Sequence, residues 1–230
     1  MKNRVLIMTG ASSINRPPEE TDNTIEEVLD ATLPSKQRYA KKYGYDLLSI
    51  RSFGSDKNNK FKDTEIGFLR TLRAFEMLNY YDTVMWLDAD AIITNDNYAI
   101  EDFQLNENFV FYASYDWVGK YTFSTGNFII QNTKRTDEFL DIFYRVAKQF
   151  PTEQDALNAV YRETNFNNAI KVLEHNFLNA VPSAIMDTSC WTGRQPIFAP
   201  WNETAFLSHL TGVSNHNRIE ILNKYLNKYL

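Results

Sequence analysis

The run Thr83-Val-Met-Trp-Leu87 constrains the fold more than any other stretch of this chain. A strand wetted on one face alternates apolar and polar residues, whereas a strand covered on both faces does not. The run therefore predicts an inner strand of a sheet with helices on both sides. The elements around it agree. Arg4–Thr9 reads as a first strand. Thr24–Thr32 and Ser35–Tyr43 read as two helices separated at Pro34, with Ser35 as N-cap and Gly44 as the stop. Tyr45–Ile50 is a second strand, and Ile66–Leu78 carries apolar residues at helical spacing. Strand, helix, strand, helix, strand is the order of a mostly parallel α/β sheet.

The second half is more mixed. Phe109–Ser114, Asn127–Gln131 and Ala205–Ser208 are predicted strands. Thr136–Gln149, Thr152–Arg162 and Ile219–Leu230 are predicted helices, the last one amphipathic. The stretches around Pro17-Pro18 and over Phe53–Asp63 read as loops. With 230 residues, 43% hydrophobic and 14% aromatic, the chain can bury one sizeable core. We expect a single domain made of two halves, 1–114 and 115–230.

The apolar run ends in Asp88-Ala89-Asp90. Two carboxylates at i and i+2 on extended backbone point the same way. They stand at the carboxyl end of an inner strand, where an open α/β sheet leaves its ligand crevice. As solvated turn residues they would need no partner. Packed together they repel unless protonated or bound to a cation, and carboxylate oxygens suit Mg²⁺ or Mn²⁺. A divalent ion there can neutralise a diphosphate, which points to an enzyme acting on a nucleotide diphosphate.

Other residues fit that chemistry, each with a plainer alternative. His209, in Phe206-Leu-Ser-His209-Leu-Thr-Gly212, is a structural histidine or a third ligand. Gly212 lets backbone N–H groups approach a phosphate. His175 and His216 read as surface or structural. Ser124-Thr-Gly126-Asn127 is either an ordinary turn or a loop that grips sugar hydroxyls. In Pro151-Thr152-Glu153-Gln154-Asp155, Thr152 is a candidate N-cap and Glu153 is explained by the helix N-terminus. Asp155 or Gln154 could face a sugar, and spacing does not separate them. Arg70 and Arg73 share a helix face, and one of them could meet a diphosphate. Trp117 and Trp201 read as core. Trp191 is the better candidate for stacking on an acceptor sugar. The sequon Asn202-Glu-Thr204 reads as a chance match.

A net charge of −5 disfavours nucleic acid and anionic membranes as partners. The single cysteine, Cys190, rules out an intrachain disulfide and suggests a reducing compartment. No stretch approaches transmembrane length. These features predict a soluble, cytoplasmic protein.

In sequence order these motifs resemble GT-A-fold glycosyltransferases, most closely the family 34 group of galactosyl-, mannosyl- and xylosyltransferases. The resemblance rests on Val5–Thr9, Arg38-Tyr39-Ala40 through Gly44-Tyr45-Asp46, Phe68–Leu78, Tyr81 through Ala91, Thr125-Gly126-Asn127, Glu153-Gln154-Asp155 and His209-Leu-Thr-Gly212. It implies a Rossmann-like GT-A domain with a small antiparallel extension, and transfer of a hexose or pentose from a UDP- or GDP-sugar to a glycan or other hydroxyl. It implies Asp88, Asp90 and His209 as ligands of Mn²⁺ or Mg²⁺. Thr9, Gly10, Arg70, Asp88, Gly126, Asn127 and Gly212 would line the donor site, with Gln154 and Asp155 at the reacting carbon. Retention of configuration is favoured, and the lack of an N-terminal anchor suggests a bacterial or viral relative. Two departures stand out: Arg70 replaces an expected lysine, and Asn215, Asn217 and Arg218 follow the His-x-x-Gly element where a lysine is expected. A haloacid-dehalogenase-type phosphatase and a non-catalytic sugar-binding protein are the competing readings. The phosphatase would carry its carboxylate pair on the first strand.

Overall fold

The computed structural model describes residues 3–11, 24–51, 66–117, 119–163, 165–185 and 196–230. The predicted loops around Pro17-Pro18 and over 53–63, together with Cys190 and Trp191, lie outside them.

The central sheet has six strands: β1 (Val5–Gly10), β2 (Asp46–Ile50), β3 (Thr83–Asp88), β5 (Phe111–Tyr115), β6 (Phe123–Gln131) and β7 (Ile170–Leu173), in the order β2-β1-β3-β6-β5-β7. All run the same way except β6, which is antiparallel to both of its neighbours. The mostly parallel α/β sheet is therefore present, and the apolar run is its inner strand. A two-stranded antiparallel ribbon pairs β4 (Ala91–Ile93) with β8 (Leu207–His209). The helices are α1 (Ile25–Tyr43), α2 (Ile66–Met77), α3 (Thr136–Ala147), α4 (Glu153–Glu163), α5 (His175–Leu178) and α6 (Asn215–Ile221). Among the described residues, no helix is long and apolar enough to cross a membrane.

Alternation along β3 divides the core. Val84 and Trp86 face α2, α3 and α4, where Trp86, Phe128, Phe111 and Phe139 pack together. Met85 and Leu87 face the layer that holds α1 and the ribbon. Each fully buried large side chain contributes roughly 1.5–3 kcal/mol by removal from water.

Several boundaries differ from the sequence expectation. The two predicted helices before Gly44 are one, α1, which continues through Pro34. A proline inside a helix costs about 3 kcal/mol. Here Pro34 is exposed, while a buried stripe of Val28, Leu29, Thr32, Ser35, Lys36, Tyr39 and Ala40 runs past it, so packing overrides the break. A capping box between Thr24 and Glu27 opens α1, and Gly44 closes it at φ 72°. Strand β6 begins at Phe123, so Ser124–Asn127 is strand rather than a loop before it. The predicted terminal helix is instead α6, followed by a wider turn over Leu222–Leu226 and a tighter one over Asn227–Tyr229. Strands β4 and β7 are additional; three- and four-residue strands are too short to show periodicity.

Candidate active site

The parallel strands end on one edge, and β1 and β3 are in a register that sets Gly10 beside Asp88. Asp88 and Asp90 flank the tight turn between β3 and β4. The ribbon places Ala91 opposite His209, which brings a histidine from near the end of the chain against the carboxylate pair. Leu210 N donates to Asp90 O at 3.0 Å, and His209 N donates to Ala180 O at 2.8 Å, fixing the last rung.

Each carboxylate is held from outside. Asp88 Oδ1 accepts from Arg70 Nη1 and from Trp86 Nε1 at 2.8 Å. Asp90 Oδ2 pairs with Arg218 Nη2 at 2.9 Å. The inner oxygens point at the histidine: Nε2 lies 3.4 Å from Asp90 Oδ1 and 3.9 Å from Asp88 Oδ2. The ring is oriented from behind. Asn179 donates through Nδ2 to Tyr115 O at 3.0 Å, so its Oδ1 accepts from His209 Nδ1 at 2.9 Å. A neutral His209 in this tautomer turns the Nε2 lone pair toward two carboxylate oxygens. That arrangement is repulsive unless a cation sits between them. The three ligand atoms lie within 4.8 Å of one another. Two hard oxygens and one imidazole nitrogen with a fixed partner fit a divalent metal.

Burial would raise the Asp90 carboxyl, but the Arg218 guanidinium works against it, and the group is held well below the usual carboxylate range. Burial likewise works against the Arg70 guanidinium, and Asp88 and Glu153 more than restore its charge. Arg70 Nη2 donates to Glu153 Oε1 and to Thr125 O at 3.0 Å, so one guanidinium ties α2, β3, β6 and α4 together.

A bulge in β6 supplies the remaining wall. Ala113 pairs with Phe128 and Tyr115 with Phe123, so β6 spends extra residues where β5 takes two steps. Bulges re-aim side chains beside active sites. Here Thr125 reaches α4, where its hydroxyl donates to Glu153 Oε1 at 2.7 Å and its N–H donates to Gln154 Oε1 at 3.1 Å. Gly126 meets the triad: a Cβ there would lie 2.6 Å from His209 Cε1 and 3.0 Å from Asp88 Oδ2. Asn127 accepts from Asp88 N at 3.0 Å and donates to Leu178 O at 3.0 Å. A cleft of about 270 Å³ opens here, lined by Arg70, Asp88, Ser124, Gly126, Gln154 and His209 among others.

Of the sequence candidates, the structure brings together Asp88, Asp90, His209, Arg70, Gly126, Asn127 and Gln154. Thr9 is buried one step before Gly10, and its hydroxyl has no partner among the described residues. Gly212, at φ 76°, turns the chain from β8 toward α6. Asp155 is not among the cleft-lining residues. It accepts from Thr152 Oγ1 at 2.6 Å, and its N–H returns to the same hydroxyl at 3.1 Å, a helix-capping pair. Arg73 is half-buried and pairs with Glu76. Trp117 is buried, Trp201 donates to Thr94 Oγ1, His175 stacks on Phe198 and His216 is exposed.

Sequence reasoning missed four residues. Glu153 is 3% exposed and fixes Arg70; its position at a helix start concealed it. Arg218 stood out only as a departure from an expected lysine. Asn179 carried no signal. Lys36 did carry one: it falls on the apolar stripe of α1. It is fully buried and donates through Nζ to Thr32 Oγ1 at 2.9 Å, Asp88 O at 3.1 Å and Ala89 O at 3.4 Å. Burial pushes its ammonium down to about 7 against the pull of Asp90 and Asp88.

The fold and site define a GT-A glycosyltransferase. The chain belongs to the nucleotide-diphospho-sugar transferase family, whose model matches residues 61–214. The model of the galactosyl transferase GMA12/MNN10 family matches residues 1–110. No curated protein sequence matches. Solved structures agree on the fold. A glycosyltransferase involved in glycosylation of the major capsid of PBCV-1 is 19% identical, with a TM-score of 0.64, over 96% of this chain and 98% of that one. Mouse xyloside xylosyltransferase 1 is 12% identical, with a TM-score of 0.56, over 91% and 97%. The galactosyltransferase LgtC, solved with donor and acceptor sugar analogs, is 13% identical, with a TM-score of 0.54, over 98% and 100%. These matches set the phosphatase reading aside.

Proposed function

We propose that this glycosyltransferase moves a hexose or pentose from a UDP- or GDP-sugar to a hydroxyl of a glycan or similar acceptor, with retention of configuration. The observation that carries this reading is the convergence of Asp88 Oδ2, Asp90 Oδ1 and His209 Nε2 beside a cleft walled by Arg70, Thr125 and Gln154. Those three atoms would hold Mn²⁺ or Mg²⁺, which when bound supplies positive charge to the departing diphosphate.

The chain's own groups do the rest. Arg70 is a fixed cation whose side chain is already ordered by Asp88 and Glu153, so aligning it costs little when the donor binds. Gln154 has its Oε1 engaged by Thr125, leaving its NH₂ to donate to a hydroxyl of the donor sugar. Gly126 keeps the floor low enough for the sugar to approach the triad. Thr9 and Gly10 border the nucleotide, and the backbone at Gly212 lies toward the diphosphate. Asp88 and Glu153, the carboxylates lining the cleft among the described residues, are both engaged by Arg70. Neither is presented as a free base, which favours retention over an inverting displacement.

The test is Asp90→Ala assayed for Mn²⁺-dependent release of nucleoside diphosphate from UDP- and GDP-sugars. Loss of metal-dependent release is expected in a folded variant. Full turnover by Asp90→Ala would overturn the metal assignment. The anomeric configuration of the product, read by NMR, tests retention separately.

A further inference from the structure

We propose that Lys36 is a positioning residue for the metal centre, pinning the Asp88–Asp90 turn to helix α1 so that both carboxylates are presented as one rigid pair. The inference rests on the metal reading above and adds a residue that does not touch the ion or the donor.

Three residues of α1 grip the segment that carries the carboxylates. Lys36 Nζ donates to Asp88 O and Ala89 O. Thr32 Oγ1 donates to Ala89 O at 2.6 Å and accepts from Lys36. Ser35 Oγ accepts from Ile93 N at 3.3 Å in the strand beyond. The turn is thus held by its main chain from beneath, while Arg70 and Arg218 hold the side chains from outside. Lys36 forms no ion pair with a carboxylate among the described residues; its direct partners are two carbonyls and a hydroxyl. A helix that needed only to pack would carry leucine or methionine at this place in its stripe. Burying an ammonium is costly unless its hydrogen bonds are well made, and here all three go to the turn and its support.

Charge and position make opposite demands. A cation behind Asp88 and Asp90 repels a divalent ion, so if Lys36 acted by charge alone its removal would tighten metal binding. If it acts by holding the turn, its removal loosens the ligand pair and weakens binding. Supporting residues behind metal ligands change affinity by about 10–100-fold.

The experiment compares wild type and Lys36→Met by Mn²⁺ titration, with free ion read by electron paramagnetic resonance, and by amide hydrogen exchange. Met keeps the length of the side chain and removes its donors. For a folded variant, Mn²⁺ affinity is expected to fall about tenfold or more. The amides of residues 89–93 should exchange faster, while those of 39–43 keep their protection. Mn²⁺ binding equal to or tighter than wild type in folded Lys36→Met overturns the proposal. If Lys36→Met does not fold, Thr32→Val removes the shared hydroxyl while retaining shape and charge. About threefold weaker Mn²⁺ binding is then expected, and unchanged binding overturns the proposal. If wild type and Asp90→Ala both fail to bind Mn²⁺, the metal reading falls and this role falls with it. If wild type binds and only the Lys36 and Thr32 variants behave normally, the metal reading survives and this one alone is refuted.

Discussion

Gly126→Ala isolates the site from the fold. The backbone at Gly126 is not left-handed, so alanine meets no conformational penalty there. What it meets is the triad. Its Cβ would lie 2.6 Å from His209 Cε1, 3.1 Å from His209 Nε2 and 3.0 Å from Asp88 Oδ2. Ordinary contact begins near 3.4 Å, so the imidazole must retreat by about 0.8 Å, well beyond the roughly 0.2 Å that a metal–ligand distance tolerates. His209 has little room to move, being 2% exposed and tethered to Asn179. Overpacking of this kind typically costs about 1–3 kcal/mol, or roughly 2–12 °C in melting temperature for a chain of this size. Displacing a ligand should weaken Mn²⁺ binding about 100-fold, near 2.7 kcal/mol. The assays are Mn²⁺ titration by electron paramagnetic resonance and thermal melting without metal. A folded Gly126→Ala protein that binds Mn²⁺ within about threefold of wild type would refute the assignment of this glycine and the placement of the ion.

Gly67→Ala should act from the opposite wall. Its Cβ would collide with the buried Glu153 carboxylate, the carboxyl carbon lying 2.5 Å away, so a loss of about 1–3 kcal/mol is expected. Shortening the acid in Gly67→Ala/Glu153→Asp should recover part of it in denaturant titrations, and no recovery would show that the clash lies elsewhere. Stability in the absence of metal should also depend on pH through Lys36. Its folded value near 7 lies below the ordinary lysine value of 10.5, so between those limits the unfolded chain binds the extra proton and stability rises with pH, by at most about 1.4 kcal/mol per unit. Subtracting the Lys36→Met profile from wild type between pH 7 and 10 should reveal that slope; parallel profiles would contradict it.

The apolar run of β3 was legible as an inner strand because burial on both faces leaves a one-dimensional signature. The Asp88/Asp90 pair was legible because it ends that run. His209 was readable as a structural histidine or a third ligand, and only the resemblance chose between the two, since the ribbon that delivers it is built from strands of three residues. Pro34 misled for a different reason: local propensity marks a break, and the burial that carries α1 past it is a property of the assembled layers. Glu153 and Asp155 show the same limit. Both sit in the first turn of α4, and only the bulge of β6 decides that Glu153 meets Arg70 while Asp155 stays with its capping threonine. Lys36 was readable in principle, as a charged residue on a greasy stripe.

The β4–β8 ribbon makes the ion a reporter on assembly. Its two strands come from distant parts of the chain, and Asp90 meets His209 only when they zip together. A nascent chain that has built only its first strands therefore has two acids and no third ligand. The three-ligand pocket is complete only when the ribbon is formed, and an occupant in turn favours the docked state by mass action. Metal uptake and closure of the C-terminal segment should thus rise and fall as one event.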